Sequence, residues 1–199
     1  MDIERRNFAV DELRVMRASD KSPRIVGHAA VFDSMSENLG GFREIIKPGA
    51  FAKAVEQDDV RALWNHNPDH VLGRNRAGTL SLREDDTGLA VDIDAPDTQV
   101  ARDLMLSIER GDVSEMSFGF RVRAGGSSWD EDENGEIIRT LTDVSLFDVS
   151  PVTYPAYPET DAAVRDMRQW KAAELGEREV IAADIGRRLL RLDLIEKEF

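Results

Sequence analysis

The sequence predicts an α+β protein with a mostly antiparallel, barrel-like β core, short surrounding helices and a C-terminal amphipathic helical tail. Three observations lead to this fold class. Apolar and polar residues alternate with period two in several segments of residues 1–160, which is typical of half-buried strands. Turn-forming residues separate neighbouring segments closely enough for hairpins. After residue 160, apolar residues recur every three or four positions, which is the period of an amphipathic helix.

The first half of the chain alternates predicted strands with short helices. Residues 24–32 contain an apolar run that predicts a buried strand. Residues 50–56 are predicted to be a short helix, because the Pro-Gly pair at 48–49 is typical of the residues just before a helix. Residues 60–64 are predicted to form a further short strand, which leads into residues 65–68.

The second half begins with a predicted hairpin over residues 79–93, whose turn has the sequence EDDTG. A helix follows and ends at Gly111. Residues 116–122 alternate regularly between apolar and polar side chains and are the clearest strand in the chain. Residues 125–135 are predicted to be an acidic, solvated loop. Residues 137–154 return as one long strand or two shorter ones.

Charge divides the chain into two parts. Among the 199 residues, 26 are Lys or Arg and 39 are Asp or Glu, which gives a formal net charge of −13. Residues 164–199 contain eight acidic and eight basic residues, so the whole negative excess lies before them. We therefore predict one domain over residues 1–160 and a helical tail over residues 161–199. The tail carries an apolar stripe that suits docking on a partner or on a second copy: Ile181, Ile185, Leu189, Leu192, Ile195 and Phe199.

Composition excludes several classes of function. An acidic chain repels the phosphate backbone, so we expect no nucleic acid partner. No apolar run reaches the roughly 20 residues of a membrane span, and charged residues follow Met1. We therefore expect neither a membrane protein nor a secreted precursor. The chain has no cysteine, which excludes disulfides, thiolate zinc sites and cysteine nucleophiles.

The three histidines differ in what their surroundings indicate. His28 lies inside an apolar run and is interpreted as a structural residue of a strand. His66 and His70 are four residues apart, a spacing that can place two metal ligands on one helix face, but Pro68 between them opposes a helix. We therefore expect no metal site and no cofactor. His66 instead follows a short strand, in a loop that Pro68 and Gly73 are expected to stiffen, and this placement suits a general base.

Ser117 is the candidate nucleophile. In the alternating strand it lies on the face opposite Met116, Phe118 and Phe120, so its hydroxyl is expected to face solvent. Gly119 is its neighbour on that face and, because it lacks a side chain, is expected to let a substrate backbone approach closely. The alternative interpretation is an ordinary polar residue on the solvated face of a sheet.

A third group is needed to orient the imidazole and to stabilise its positive charge. Asp143 and Asp148 are both candidates. They are five positions apart, so a regular strand points them to opposite faces and only one of them can line the site. Asp148 lies between Phe147 and Val149 in an otherwise apolar run, where a buried carboxylate needs a partner. This favours Asp148.

Several short motifs follow one another between about residues 24 and 160. They are GHAAVF (27–32), LGGFRE (39–44), IKPGAF (46–51), LWNHN (63–67), LGR (72–74), GTL (78–80), RGD (110–112), MSFGF (116–120) and VSPVTYPA (149–156). In this order, the set resembles the prohead (capsid maturation) proteases of tailed phages, whose fold is similar to that of herpesvirus assembly proteases. Each motif alone is weak evidence, but the ordered set is specific.

The resemblance implies a serine endopeptidase of head maturation. The family's histidine position matches His66, its serine position matches Ser117, and the acidic position before the last motif matches Asp148. The implied substrates are scaffold or the scaffold segment of the major capsid protein, and the protease itself. The implied location is the interior of the procapsid, assembled in the cytoplasm of the bacterial host. A homo-oligomer is compatible with the tail.

Two non-enzymatic interpretations remain open. One is a catalytically inactive scaffolding or capsid-assembly protein that binds the capsid protein through its helical tail. The other is an acidic β-domain adaptor with a helical docking arm. The adaptor explains the charge and the tail, but it gives no reason for a serine beside a glycine together with a loop histidine.

Overall fold

The computed structural model describes residues 3–8, 13–17, 22–154 and 163–177. The strands are β1 (Glu4–Phe8), β2 (Arg14–Met16), β3 (Arg24–Val31), β4 (Arg43–Ile46), β5 (Arg61–Trp64), β6 (Asn67–Arg74), β7 (Leu80–Glu84), β8 (Gly88–Asp94), β9 (Glu115–Val122), β10 (Ser127–Glu131), β11 (Ile137–Leu141) and β12 (Val144–Val152). The helices are α1 (Ala52–Gln57), a single 3-10 turn (Asn75–Ala77), α2 (Gln99–Arg110) and α3 (residues 163–177).

The strands pair into three sheets. The first, called the site sheet below, has the order β1-β9-β12-β5-β6, the second sheet has the order β2-β3-β8-β7, and the small sheet has the order β10-β11-β4. Most neighbouring strands are antiparallel, but β12 runs parallel to β5 and β11 runs parallel to β4. The α+β class with a mostly antiparallel core is therefore confirmed. The expected barrel is not formed, because within the described residues each sheet keeps two edge strands.

The main apolar core joins the site sheet to the second sheet. Strand alternation turns Met116, Phe118 and Phe120 of β9 into this core, where Phe118 packs edge-on against Phe51 with ring centroids 5.3 Å apart. Ile25 of β3 is buried in the same cluster. Full burial of a side chain of this size stabilises the fold by about 1.5–3 kcal/mol. The core therefore fixes which face of β9 points inward and leaves the odd-numbered residues of β9 on the opposite face.

Helix α2 agrees with its sequence pattern. Thr98 precedes it, and the Thr98 hydroxyl oxygen accepts a hydrogen bond from the Ala101 N–H at 3.3 Å. Gly111 ends the helix in the left-handed conformation, with φ of 82°. Helix α1 begins just after the Pro-Gly pair, as expected, and residues 137–154 form the two shorter strands β11 and β12.

Residues 125–135, expected to be a solvated loop, contain β10 instead. This strand pairs antiparallel with β11, and Trp129 packs edge-on against Phe42 with ring centroids 4.9 Å apart. The Trp129 ring also stacks with Trp170 of α3, with centroids 6.3 Å apart. The prediction was wrong because Trp129 is the one apolar residue of β10, so the strand has no visible alternation. These rings belong to a second apolar cluster that includes Leu39, Phe42, Ile137 and Ala163.

Helix α3 lies within the predicted tail and packs on this second cluster through Val164, Met167 and Trp170. The apolar stripe expected over residues 181–199 lies outside the described residues. Among the helices that the structure does describe, none has the length and apolar character needed to cross a membrane.

Four charged side chains are buried together where β1 meets the small sheet. Arg6 of β1 donates to Glu44 of β4 through Nε at 3.0 Å, and to Glu4 through Nη2 at 2.8 Å. Arg139 of β11 donates to Glu4 at 2.7 Å and to Glu44 at 3.2 Å. Burial alone lowers the pKa of Arg139, but Glu4 and Glu44 outweigh burial and hold this pKa above its ordinary value. Removal of one member leaves its partners buried without compensation.

Replacement of Glu44 by Gln is expected to lower the free energy of unfolding by about 3 kcal/mol, since Arg6 and Arg139 then share a single buried counter-charge. Glu109→Gln is the matched control, because Glu109 pairs with Arg17 at 2.7 Å on the surface, where the two side chains are 37% and 57% exposed. The control is expected to cost at most about 0.5 kcal/mol. Urea unfolding followed by tryptophan fluorescence measures both variants. Equal losses would contradict the role assigned to the buried cluster.

Candidate active site

His66 lies in a two-residue turn between β5 and β6. Asn65 and His66 have φ of 53° and 55°, and the flanking residues Trp64 and Asn67 pair with each other. Two consecutive left-handed residues are the signature of a type I′ hairpin turn. The expected loop, which included Pro68 and Gly73, is wrong because residues 67–74 form β6. Pro68 and the neighbouring polar residues give no sign of a strand, although an edge strand tolerates proline. His66 therefore lies at the tip of the β5–β6 hairpin.

Ser117 lies in the middle of β9, between β1 and β12. Its partners across the two ladders are Asn7 and Ser150. The alternation places it on the face opposite the apolar core, as the sequence predicts. The expected exposure of the hydroxyl is wrong, however, because Ser117 is 0% exposed. The His66 ring contacts the Ser117 hydroxyl. The strand that carries Ser117 is paired on both sides, with β1 and with β12.

Asp148 reaches the same face as Ser117 because β12 contains a bulge. Leu146 pairs with Phe120, whereas Asp148 pairs with Gly119, so Phe147 is the extra residue. In a regular strand, Asp148 would share the core-facing side with Leu146. The bulge reverses the alternation after it and turns Asp148 away from the core, which is a common use of bulges beside functional sites.

The structure brings Ser117, His66 and Asp148 into one hydrogen-bonded chain. The Ser117 Oγ lies 2.7 Å from His66 Nε2, and His66 Nδ1 lies 2.5 Å from Asp148 Oδ1. An ionised carboxylate only accepts hydrogen bonds, so Nδ1 carries the ring proton and Nε2 offers its lone pair to the Ser117 O–H. This is the arrangement in which a serine hydroxyl can lose its proton to a neutral imidazole while a carboxylate steadies the resulting cation.

Ser150 is a fourth member of this chain that the sequence analysis missed. Its hydroxyl donates to Asp148 Oδ1 at 2.7 Å, the same oxygen that accepts the hydrogen bond from His66. Ser150 is fully buried and lies directly across the ladder from Ser117. The signal available in the sequence was its even spacing from Asp148, which places both residues on one face of β12.

Asp143, the other candidate carboxylate, lies at a different position. Its side chain pairs with Lys53 at 2.5 Å and with Arg123 at 3.3 Å, just before the start of β12. The structure gives no contact between Asp143 and His66. Of the two candidate carboxylates, Asp148 is therefore the one that the fold brings to the histidine.

The other two histidines also lie apart from Ser117. The His28 ring contacts Asp85 at 3.0 Å. Burial raises the pKa of Asp85, but hydrogen bonds from the Gly88 and Thr87 N–H groups and from His28 lower it below its ordinary value. The His70 ring packs beside Trp64 with centroids 5.8 Å apart. Within the described residues, no group of three His, Asp or Glu side chains is arranged to hold a metal ion.

Gly119 has a different use from the expected one. A Cβ built at this position would overlap Asp148 Oδ2 and lie 3.3 Å from Asp148 Cγ. The space beside Gly119 is therefore filled by the Asp148 carboxylate, and it is not left open for a substrate backbone. A side chain at position 119 would push this carboxylate away from His66.

The chain matches a known protein family in sequence. A family model described as Caudovirus prohead serine protease matches residues 11–173, a range that includes His66, Ser117 and Asp148. Among solved structures, the bacteriophage T4 capsid assembly protease gp21 is similar over 77% of this chain and 96% of that chain, with 10% sequence identity and a TM-score of 0.43. No curated protein matches the chain in sequence.

Gly119→Ala is expected to displace the Asp148 carboxylate and to lower the free energy of unfolding by about 1–3 kcal/mol. In proton NMR spectra, the far-downfield resonance of a ring N–H bound to a carboxylate is expected to disappear in this variant. Gly27→Ala in β3 is the control, because its Cβ would also be tightly placed, 3.3 Å from Leu13 Cα and 3.4 Å from Met116 Sδ, but Asp148 is not among its nearest neighbours. Retention of the resonance in Gly119→Ala would contradict the packing of Asp148 against Gly119.

Proposed function

Because the chain belongs to the Caudovirus prohead serine protease family, we propose that Ser117, His66 and Asp148 are the catalytic triad of a serine endopeptidase. The family makes the chain a serine peptidase, and the triad assigns its chemistry to particular side chains. One observation carries the assignment: the unbroken series of short hydrogen bonds from the Ser117 hydroxyl through the His66 ring to the Asp148 carboxylate.

In the proposed mechanism, His66 Nε2 takes the Ser117 proton while Oγ attacks the scissile carbonyl carbon. The tetrahedral intermediate collapses when the protonated ring donates this proton to the leaving amine, and Ser117 remains as an ester of the acyl group. A water molecule then attacks the ester carbonyl and gives a proton to His66. The same proton returns to Oγ when the acid product leaves, so the enzyme is restored.

Asp148 stays ionised throughout this cycle. It fixes the ring tautomer that leaves Nε2 unprotonated, and it stabilises the imidazolium formed in each half-reaction. The Ser150 hydroxyl donates a hydrogen bond to Asp148 at 2.7 Å, and the carboxylate packs against Gly119. Asp148 is only 8% exposed, so its attraction for the imidazolium is screened less by water than at a surface site.

The proposed substrates are scaffold or the scaffold segment of the major capsid protein, and the protease itself. The proposed site of action is the procapsid interior within the bacterial host, in keeping with the family. Residues 1–160 would form the protease domain. Residues 161–199 would form the tail, a docking segment or a segment removed by self-cleavage, and its described part packs on the second apolar cluster through Trp170.

Asp148→Asn is expected to lower the rate of Ser117 phosphonylation by about 10³-fold or more, since an amide can bind the wrong ring tautomer. The measurement uses a fluorophosphonate probe, from which Oγ displaces fluoride, and mass spectrometry of the Ser117 adduct. Asp143→Asn is the matched control, because it removes the charge of the carboxylate that pairs with Lys53 and Arg123. A larger loss in Asp143→Asn than in Asp148→Asn would reverse the assignment of the acid.

Ser117→Ala is expected to abolish both self-cleavage and cleavage of the capsid protein, because no other described residue offers an oxygen to His66 Nε2. The chain and the capsid protein with which it assembles are produced together, and their masses are compared with those from the parent enzyme. Fragments that persist in Ser117→Ala would show a different nucleophile or a contaminating protease. Intact masses even with the parent enzyme inside assembled procapsids would favour the inactive scaffolding protein.

A further inference from the structure

We propose that Asn65 is a positioning residue, which together with Thr153 holds the turn that carries His66. This inference rests on the proposed role of His66 and extends it to two residues outside the triad. Asn65 precedes His66 in the turn, and Thr153 follows the last residue of β12. Neither residue contacts Ser117 in the structure, so their effect on catalysis would pass through the imidazole.

Three hydrogen bonds join the turn to the end of β12. The Asn65 N–H donates to the Pro151 carbonyl at 3.0 Å. The Asn65 side-chain amide donates to Thr153 Oγ1 at 3.1 Å, and its carbonyl oxygen accepts from the Thr153 N–H at 2.8 Å. We call the two side-chain bonds the Asn65–Thr153 clamp. An amide suits this clamp because one short side chain offers a donor and an acceptor at the same time.

The ladders alone hold this turn loosely. The parallel ladder between β12 and β5 pairs Asp148 with Arg61 and Val149 with Ala62, and it ends before the turn. On the other side of β5, the pairing with β6 has two irregularities, one on each side of Leu63. Such irregularities locally disrupt the ladder hydrogen bonds. The clamp adds fixed contacts at the point where regular pairing has stopped.

Backbone conformation does not by itself explain the asparagine. Position 65 has φ of 53°, a region that asparagine tolerates well and glycine tolerates better. If the conformation were the only requirement, glycine would serve equally. The two side-chain bonds to Thr153 are the part of the arrangement that glycine cannot supply.

Stability does not explain the clamp either. Asn65 and Thr153 are both exposed, and an exposed hydrogen bond contributes little because water replaces it when it breaks. The position of the imidazole is far more sensitive, since a displacement of about 1 Å in a reacting group can cost about 10²-fold in rate. The clamp is therefore expected to affect reaction rate much more than unfolding.

The test compares Asn65→Gly, Thr153→Val and Thr153→Ser in the full chain, with the fluorophosphonate probe. Asn65→Gly keeps the turn conformation and removes the clamp, so the maximal rate of Ser117 phosphonylation is expected to fall about 10–100-fold with little change in the probe concentration at half-maximal rate. Thr153→Val removes only the hydroxyl and is expected to lose about 3–10-fold. Thr153→Ser restores the hydroxyl and is expected to recover this loss.

Two further measurements separate positioning from general damage. The melting temperature of Asn65→Gly is expected to stay close to that of the parent chain, whereas the downfield resonance of the His66 ring N–H is expected to broaden. In the double variant Asn65→Gly/Thr153→Val, the loss is expected to equal that of Asn65→Gly alone, since the clamp is already absent. Fully additive losses would show that the two residues act independently and would overturn the clamp.

The outcome also distinguishes failure of the clamp from failure of the triad. His66→Ala is expected to be nearly unreactive toward the probe. If His66→Ala is unreactive while Asn65→Gly reacts at the parent rate, the triad stands and the clamp is wrong. If His66→Ala reacts at the parent rate, the triad itself is wrong, and the effect of Asn65 would no longer bear on catalysis.

Discussion

The bulge at Phe147 in β12 is the feature on which the rest of the site depends. Strand β12 lies between β9, which carries Ser117, and β5, which leads to His66. Without the extra residue, Asp148 would point into the apolar core, where no partner for a carboxylate is available. The extra residue turns Asp148 toward the same face as Ser117 and leaves Val149 in the core. The same strand then supplies Ser150 to the carboxylate and Thr153 to the turn.

The buried charges Glu4, Arg6, Glu44 and Arg139 fix the position of β1 at the edge of the site sheet. Strand β1 covers the outer edge of β9, with Asn7 opposite Ser117. Its inward-facing side chains are Glu4 and Arg6, where an ordinary edge strand would place apolar residues. Apolar side chains fix which face of a strand points inward, whereas charges in fixed geometry also require particular partners. The cluster with Glu44 and Arg139 therefore ties the strand beside the nucleophile to the small sheet in one arrangement.

The sequence predicts the parts of this molecule that depend on local patterns. The alternation in residues 116–122 places Ser117 on the face opposite the core, and the caps of α2 are readable from single residues. The bulge in β12 is not readable, because an extra residue leaves composition unchanged and appears only when two strands are paired. For the same reason Gly119 could be recognised as an open position, but not as the place of the Asp148 carboxylate. Strand β10 was missed because Trp129 is its one apolar residue, and a single apolar residue among polar and acidic ones shows no alternation.

The candidate triad is brought together by tertiary structure alone. Ser117 lies 51 residues and Asp148 lies 82 residues after His66 in the sequence. Two of them are placed by strands, whose positions are set by ladder hydrogen bonds on both sides. The histidine is placed by a two-residue turn, which has strands on one side only. The site needs all three side chains at hydrogen-bond distance. The precision of its geometry is therefore limited by His66, the least restrained of the three. The additional contacts of Asn65 with Thr153 lie at this turn, beyond the last paired residues of β12 and β5.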